Sequence, residues 1–316
     1  MEFTSIGQIP DTQESSAEMT IQSGGFQEYL AEEIKKYGGV MIPVKAGLME
    51  RLLVKEVEIK KLHPNPDDEF CMPGIGPNDK IISDYIARYQ RYGSMKNPDA
   101  IEEDPLIVEK VHPDGYIILN GHHRWAAFWR LGIKKAPVSI VNLTQKSDIE
   151  EMIRSSEHDK RVTLDLDEVA FCQGDEPWEM PIKGFPEGKF KERLRPGIPA
   201  LLQYLSRQGY DIWVYTAEYY SIEYIREYFH YYTVKIDGIV TGTGRKRKGF
   251  AEERISLEEL VRERYKQTLH IDRQTVLRTF SGSKDFEEYP VVEGAFGWAQ
   301  TVKSIIRKFE NNESYK

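Results

Sequence analysis

VTLDLDEV, residues 162–169, decides how the second half of this chain is read. It is an apolar strand pattern that runs out into two aspartates, Asp165 and Asp167. From residue 161 onward strand patterns alternate with helical ones. Strands are expected at 161–166, 211–215, 238–240 and 268–271, with helices at 197–208 and 221–228. That alternation predicts an α/β unit with a parallel, doubly wound sheet, whose functional groups collect where strands end.

Two carboxylates two residues apart at a strand end can divide phosphoryl-transfer chemistry. One attacks phosphorus, and the other delivers and withdraws a proton at the leaving oxygen. An acidic pair at a strand end is as often a solvated loop, so the weight rests on three segments nearer the C-terminus. IWVYTAEYY (212–220) ends its apolar part at Thr216, a hydroxyl able to hydrogen-bond a phosphoryl oxygen. TGTGRKRKG (241–249) supplies Lys246 and Lys248 on a Gly-rich loop, able to balance phosphoryl charge. LHIDRQ (269–274) ends in Asp272, an oxygen ligand of the kind Mg2+ prefers.

These four elements in this order resemble the haloacid dehalogenase superfamily over about 150 residues. DLDEV and RPGIPALLQYLSRQGYDIWVYTA are similar to its RNA-polymerase carboxy-terminal-domain phosphatase branch. The resemblance implies a Rossmann-like domain over 151–316 that hydrolyses a phosphomonoester through an aspartyl phosphate. It makes Asp165 the nucleophile, Asp167 the acid/base, Thr216 the phosphate-binding hydroxyl and Lys248 or Lys246 the charge-stabilising lysine. Mg2+ would be held by Asp165, the backbone carbonyl of Asp167, and Asp272. The chain departs from the family where Val169 replaces a usual Thr and where Arg273 follows Asp272. The short spacing from Asp167 to Thr216 leaves little room for a large cap.

The first half reads as a small α+β unit over 26–150, after a loose polar tail over 1–25. A helix is expected at 26–37, ended by Gly38-Gly39, and a half-buried strand at 51–62. A Pro- and Gly-rich stretch, HPNPDDEFCMPGIGPN, precedes a helix at 80–92. Strands at 104–110 and 116–119 then lead into NGHHR (120–124), a polar turn opening a helix that stops at Gly132; Trp125 and Trp129 on it are expected in the core. A strand at 136–141 and a connecting helix at 148–157 complete this half. Backbone N–H groups at a helix start attract anions, and Gly121, His122, His123 and Arg124 can ring a phosphate. Asp67, Asp68 and Glu69 upstream offer a base or a metal ligand. Two adjacent histidines that merely satisfy local backbone groups are the competing reading.

Residues 53–143 resemble the ParB/sulfiredoxin fold. His122 stands where sulfiredoxins carry a nucleophilic cysteine, so sulfinic-acid repair is not expected. Only Gly121 and Arg124 match the ParB turn, and the Gly-His-His-Arg form is similar to nucleotide-dependent free-serine kinases of this fold. That resemblance implies that residues 121–124 hold the phosphates of ATP or ADP and that an acidic residue such as Asp68 or Glu69 activates a hydroxyl.

The two cysteines, Cys71 and Cys172, form no CxxC pair, which argues against a disulfide framework or cysteine-ligated zinc. No stretch approaches the ~20 apolar residues of a membrane helix, and no secretory leader pattern opens the chain, so a cytoplasmic setting is expected. The net charge of −8 disfavours nucleic acid as a partner, although residues 245–248 form one basic run. The expectation is a two-domain phosphoryl-transfer enzyme acting on a small phosphomonoester and a nucleotide. Its alternatives are a nucleic-acid-associated protein that trims phosphorylated ends, and a nucleotide-binding protein whose phosphatase half is inert.

Overall fold

The computed structural model describes residues 12–95, 105–172, 174, 176–182, 184, 188–244, 250–292 and 297–313. The chain divides into two compact units, Met1–Val141 and Asn142–Lys316.

The first unit contains α1 (Thr12–Tyr37), β1 (Ile42–Pro43), α2 (Leu48–Arg51), β2 (Lys55–Glu58), β3 (Leu62–His63) and α3 (Asp79–Tyr92). It continues with β4 (Leu106–His112), β5 (Tyr116–Asn120), α4 (His122–Arg130) and β6 (Lys135–Val141). The sheet runs β2-β6-β4-β5-β3, with β1 on β4. The β4–β6 and β3–β5 pairs are parallel and the others antiparallel. Its apolar face, with Leu106, Val108, Ile118, Val138 and Ile140, packs with Phe26 of α1 and Trp125 and Phe128 of α4. Trp129 is only half-buried, and its ring lies 5.2 Å from Phe26 and 5.4 Å from Tyr29.

Two expectations change here. The helix expected from residue 26 begins at Thr12, so residues 12–25 are helical rather than a loose tail. The single strand expected over 51–62 is broken into α2, β2, a tight turn and β3. Leu53 and Val54 are exposed, so the alternation that looks like one buried face does not face one core.

The second unit contains α5 (Lys146–Arg154), β7 (Lys160–Asp165), α6 (Ile198–Arg207), β8 (Tyr210–Tyr215), α7 (Ile222–Tyr231) and β9 (Gly238–Val240). It ends with α8 (Phe250–Arg264), β10 (Gln267–Ile271), β11 (Thr275–Phe280), β12 (Phe286–Pro290) and α9 (Trp298–Glu313). Strand order is β12-β11-β10-β7-β8-β9. Strands β10, β7, β8 and β9 are parallel, and β11 and β12 extend that sheet antiparallel. One face, through Val162, Leu164, Ile212, Val214 and Leu269, packs on α6, α7 and α9. The other, through Trp213, packs with Met152 and Ile153 of α5 and with Tyr265. Burial on both faces explains why β8 is apolar almost throughout.

Candidate functional site

In the first unit the site begins at Gly121, which sits at φ 100° between β5 and α4. A Cβ there would also lie 2.5 Å from Leu106 Cδ2 and 2.9 Å from Arg124 Nη2, so both conformation and space select glycine. His122 is buried, and its Nε2 accepts the Asn65 backbone N–H at 3.2 Å. The ring proton therefore resides on Nδ1, which faces Asp68 Oδ1 at 3.7 Å. Burial holds the His122 pKa down, from 6.5 to about 4, against the opposing pull of Asp68. His123 accepts the Asn78 N–H at 3.2 Å and is likewise shifted down by burial.

Both imidazoles thus act as acceptors that fasten the 65–78 segment to the start of α4. Burial disfavours the protonated form of His123. Arg124 is buried and donates to Asn120 Oδ1 at 3.2 Å. Of the acidic trio, Asp68 is the member drawn to the histidines, and it also accepts the Phe70 N–H at 2.9 Å. Glu69 is exposed. Phe70 stacks on His122 with centroids 5.4 Å apart. Asn65, Phe70 and Asn78 do not stand out in the sequence. The two asparagines act on the histidines through backbone N–H groups, which leave no side-chain signature.

In the second unit Asp165 ends β7, the second of the four parallel strands counted from β10. Its Oδ1 accepts the N–H groups of Asp167 and Glu168, each at 2.8 Å. Asp167 turns toward the end of β8, where Thr216 Oγ1 donates to its two oxygens at 2.8 and 2.9 Å and Ala217 N–H donates at 2.8 Å. Thr216 is fully buried, so in this arrangement its hydroxyl serves Asp167. Asp272 follows β10, which pairs with β7 in register from Gln267–Lys160 to Ile271–Leu164. Burial first, and then the nearby charges of Asp167 and Asp272, raise the Asp165 pKa; the two N–H donors oppose that shift. Lys246 and Lys248 lie outside the described residues.

A cleft of about 610 Å³ opens beside Asp167, with Lys191, Arg193, Glu218 and Tyr220 among its lining. Among the described residues no group of three His, Cys, Asp or Glu side chains is placed to hold a metal ion. A cation here would take two carboxylates, Asp165 and Asp272, and complete its shell from backbone or water. That is a donor set Mg2+ accepts readily, since it keeps several waters. No helix among the described residues is long and apolar enough to cross a membrane.

Residues 92–156 match the family model of the ParB N-terminal domain. Over 109 residues the chain is 31% identical to an ATP-dependent L-serine kinase of Staphylothermus marinus, covering 34% of this chain and 35% of that protein. The chain therefore spans about a third of the length of this curated relative. Among solved structures, a conserved hypothetical protein from Pyrococcus furiosus is similar at 21% identity, over 36% of this chain and 47% of that one, with a TM-score of 0.22. A free serine kinase in complex with AMP is similar at 17% identity, over 79% of this chain and 94% of that one, with a TM-score of 0.24. The stretch that carries the Gly121–Arg124 turn is thus similar to the ParB N-terminal domain, and part of the chain is similar to a serine kinase.

Proposed function

We propose that this chain is a two-unit phosphoryl-transfer enzyme. Its first unit transfers a phosphoryl group from ATP or ADP to the hydroxyl of a small substrate of the serine class. Its second unit is a haloacid-dehalogenase-type phosphohydrolase.

The kinase reading rests on the similarity to an ATP-dependent L-serine kinase, joined to the Asp68–His122 pairing at the start of α4. In this reading the α4 N-terminus, with Gly121 and Arg124, receives the nucleotide phosphates. Asp68 accepts the substrate hydroxyl proton, and neutral His122 orients the segment that carries Asp68. Formation of O-phosphoserine from L-serine and ATP or ADP, lost in Asp68→Asn, is the expected result. Serine kinase activity that survives Asp68→Asn would remove Asp68 from the mechanism.

For the second unit the observation that carries the reading is Asp167 held by Thr216 and Ala217 beside Asp165, at the carboxyl end of a parallel sheet. Asp165 attacks phosphorus, and Asp167 gives a proton to the departing oxygen and then takes one from water. Asp165, Asp272 and the Asp167 carbonyl are the groups that would hold Mg2+. Burial and the nearby charges of Asp167 and Asp272 together raise the Asp165 pKa, and the negative charge gathered there is the electrostatic reason a divalent cation fits. When bound, Mg2+ screens these carboxylates from an anionic phosphate. Mg2+-dependent hydrolysis of an aryl phosphate, abolished in Asp165→Asn, is expected. Equal turnover by the two proteins would exclude the aspartyl-phosphate route.

A further inference from the structure

The second unit has a larger cavity on the face of its sheet opposite α6, α7 and α9. It measures about 970 Å³, within the roughly 300–1,000 Å³ range of small-molecule sites. Its floor is Arg161, on β7. The guanidinium donates to Thr268 Oγ1 at 3.0 Å and lies 5.9 Å from the Trp213 ring and 5.4 Å from the Tyr265 ring. Among the described residues no carboxylate pairs with it. Arg262 and Lys284 add two further cations to the lining, against the single carboxylate of Glu258. Trp213, Tyr215 and Tyr265 give the lining an aromatic side, on which the Trp213 and Tyr265 rings meet edge to face at 85°, and Leu257, Val261, Thr279 and Ser281 add apolar groups and hydroxyls.

A half-buried guanidinium without an anion, in a cavity with net positive lining, calls for an anionic ligand. The aromatic and aliphatic side calls for an apolar ring attached to that anion, and the hydroxyls for polar groups between the two. We infer that this cavity binds a nucleoside phosphate, with the phosphate on Arg161 and the base among Tyr215, Leu257 and Val261. The position gives the site a route to the proposed phosphohydrolase centre. Arg161, Thr163 and Asp165 alternate onto one face of β7, and Thr163 Oγ1 meets His270 Nδ1 at 2.8 Å one step below Asp165 and Asp272. Thr243, also in the lining, donates through its hydroxyl to the Thr216 carbonyl at 3.2 Å.

The test is calorimetric titration of the full chain with AMP, comparing wild type, Arg161→Met and Lys284→Glu. Arg161→Met should remove one equivalent of bound AMP. Lys284→Glu, at the exposed rim, should weaken the same equivalent roughly tenfold or more with no loss of thermal stability. The Lys284→Glu result decides the matter if Arg161→Met fails to fold. AMP bound in the first unit is insensitive to both changes, so that reading and this one fail separately. Binding of the same stoichiometry and affinity in all three proteins, or no binding in any, overturns the site. Inorganic phosphate binding to the Arg161-dependent site as tightly as AMP overturns the nucleoside part.

Discussion

Thr216 donates its buried hydroxyl to both oxygens of the Asp167 carboxylate, at 2.8 and 2.9 Å. With the Ala217 N–H at 2.8 Å, this fixes the rotamer of the group proposed as acid/base. Thr216→Val keeps the volume and removes the donor. It should lower kcat for aryl phosphate hydrolysis roughly tenfold to a hundredfold, with KM little changed. Thr216→Ser should restore most of the rate. If Val and Ser variants are equally impaired, packing rather than the hydroxyl is what matters.

Asp165 carries a raised pKa because burial and two neighbouring carboxylates disfavour its charge. A carboxylate whose folded pKa lies above its unfolded value contributes stability at low pH and loses it as pH rises through the folded value. At pH 7 without metal, Asp165→Asn should therefore raise Tm, since Asn keeps an oxygen for the N–H groups of Asp167 and Glu168. Addition of Mg2+ should raise the wild-type Tm and leave Asp165→Asn and Asp272→Asn almost unmoved. Equal Mg2+ stabilisation of all three proteins would place the cation elsewhere.

The parallel sheet is the most legible part of the fold. The Gly238–Val240 strand has the bounds its sequence predicts, and β7, β8 and β10 agree to within a residue. β8, β9 and β10 are buried almost throughout and β7 at alternate residues, so apolar residues mark them. The break between α2 and β2 is hidden because Leu53 and Val54 complete an alternation although they face solvent. β12 is an edge strand, FEEYP, with exposed and half-buried positions alternating, and its charge reads as loop. α9 does leave a signal, Trp298, Val302, Ile305, Ile306 and Phe309 at helical spacing, which a reading centred on the strands passes over. At the sites, side chains at strand ends and helix starts are legible as candidates. The neutrality of His122 and His123 is not, because their partners are backbone N–H groups from a segment with no regular pattern.

The same neutrality makes stability depend on pH. His122 has a folded pKa of about 4 against 6.5 unfolded, so the unfolded chain binds the proton more readily. The stability it contributes is whole above pH 6.5 and is lost as pH falls from 6.5 toward 4. The loss is at most on the order of 3 kcal/mol. Denaturant unfolding at pH 7.5 and 5 should show that decline, and His122→Gln, which keeps an acceptor for Asn65 but does not titrate, should flatten it. An identical decline in His122→Gln would assign the titration to another group.

Gly238 and Trp213 are register partners on β9 and β8, and the indole occupies the space a side chain at 238 would need. A Cβ there would lie 2.0 Å from the Trp213 ring, although the backbone at 238 does not require glycine. Gly238→Ala should therefore destabilise the second unit through overpacking alone, by about 1–3 kcal/mol. Trp213→Leu costs stability by itself, because it empties a buried volume, but it clears the space above 238. In that background Gly238→Ala should cost less than about 1 kcal/mol, giving a coupling energy between the two positions. If the cost of Gly238→Ala is the same in both backgrounds, its origin is backbone entropy in the strand and not the indole.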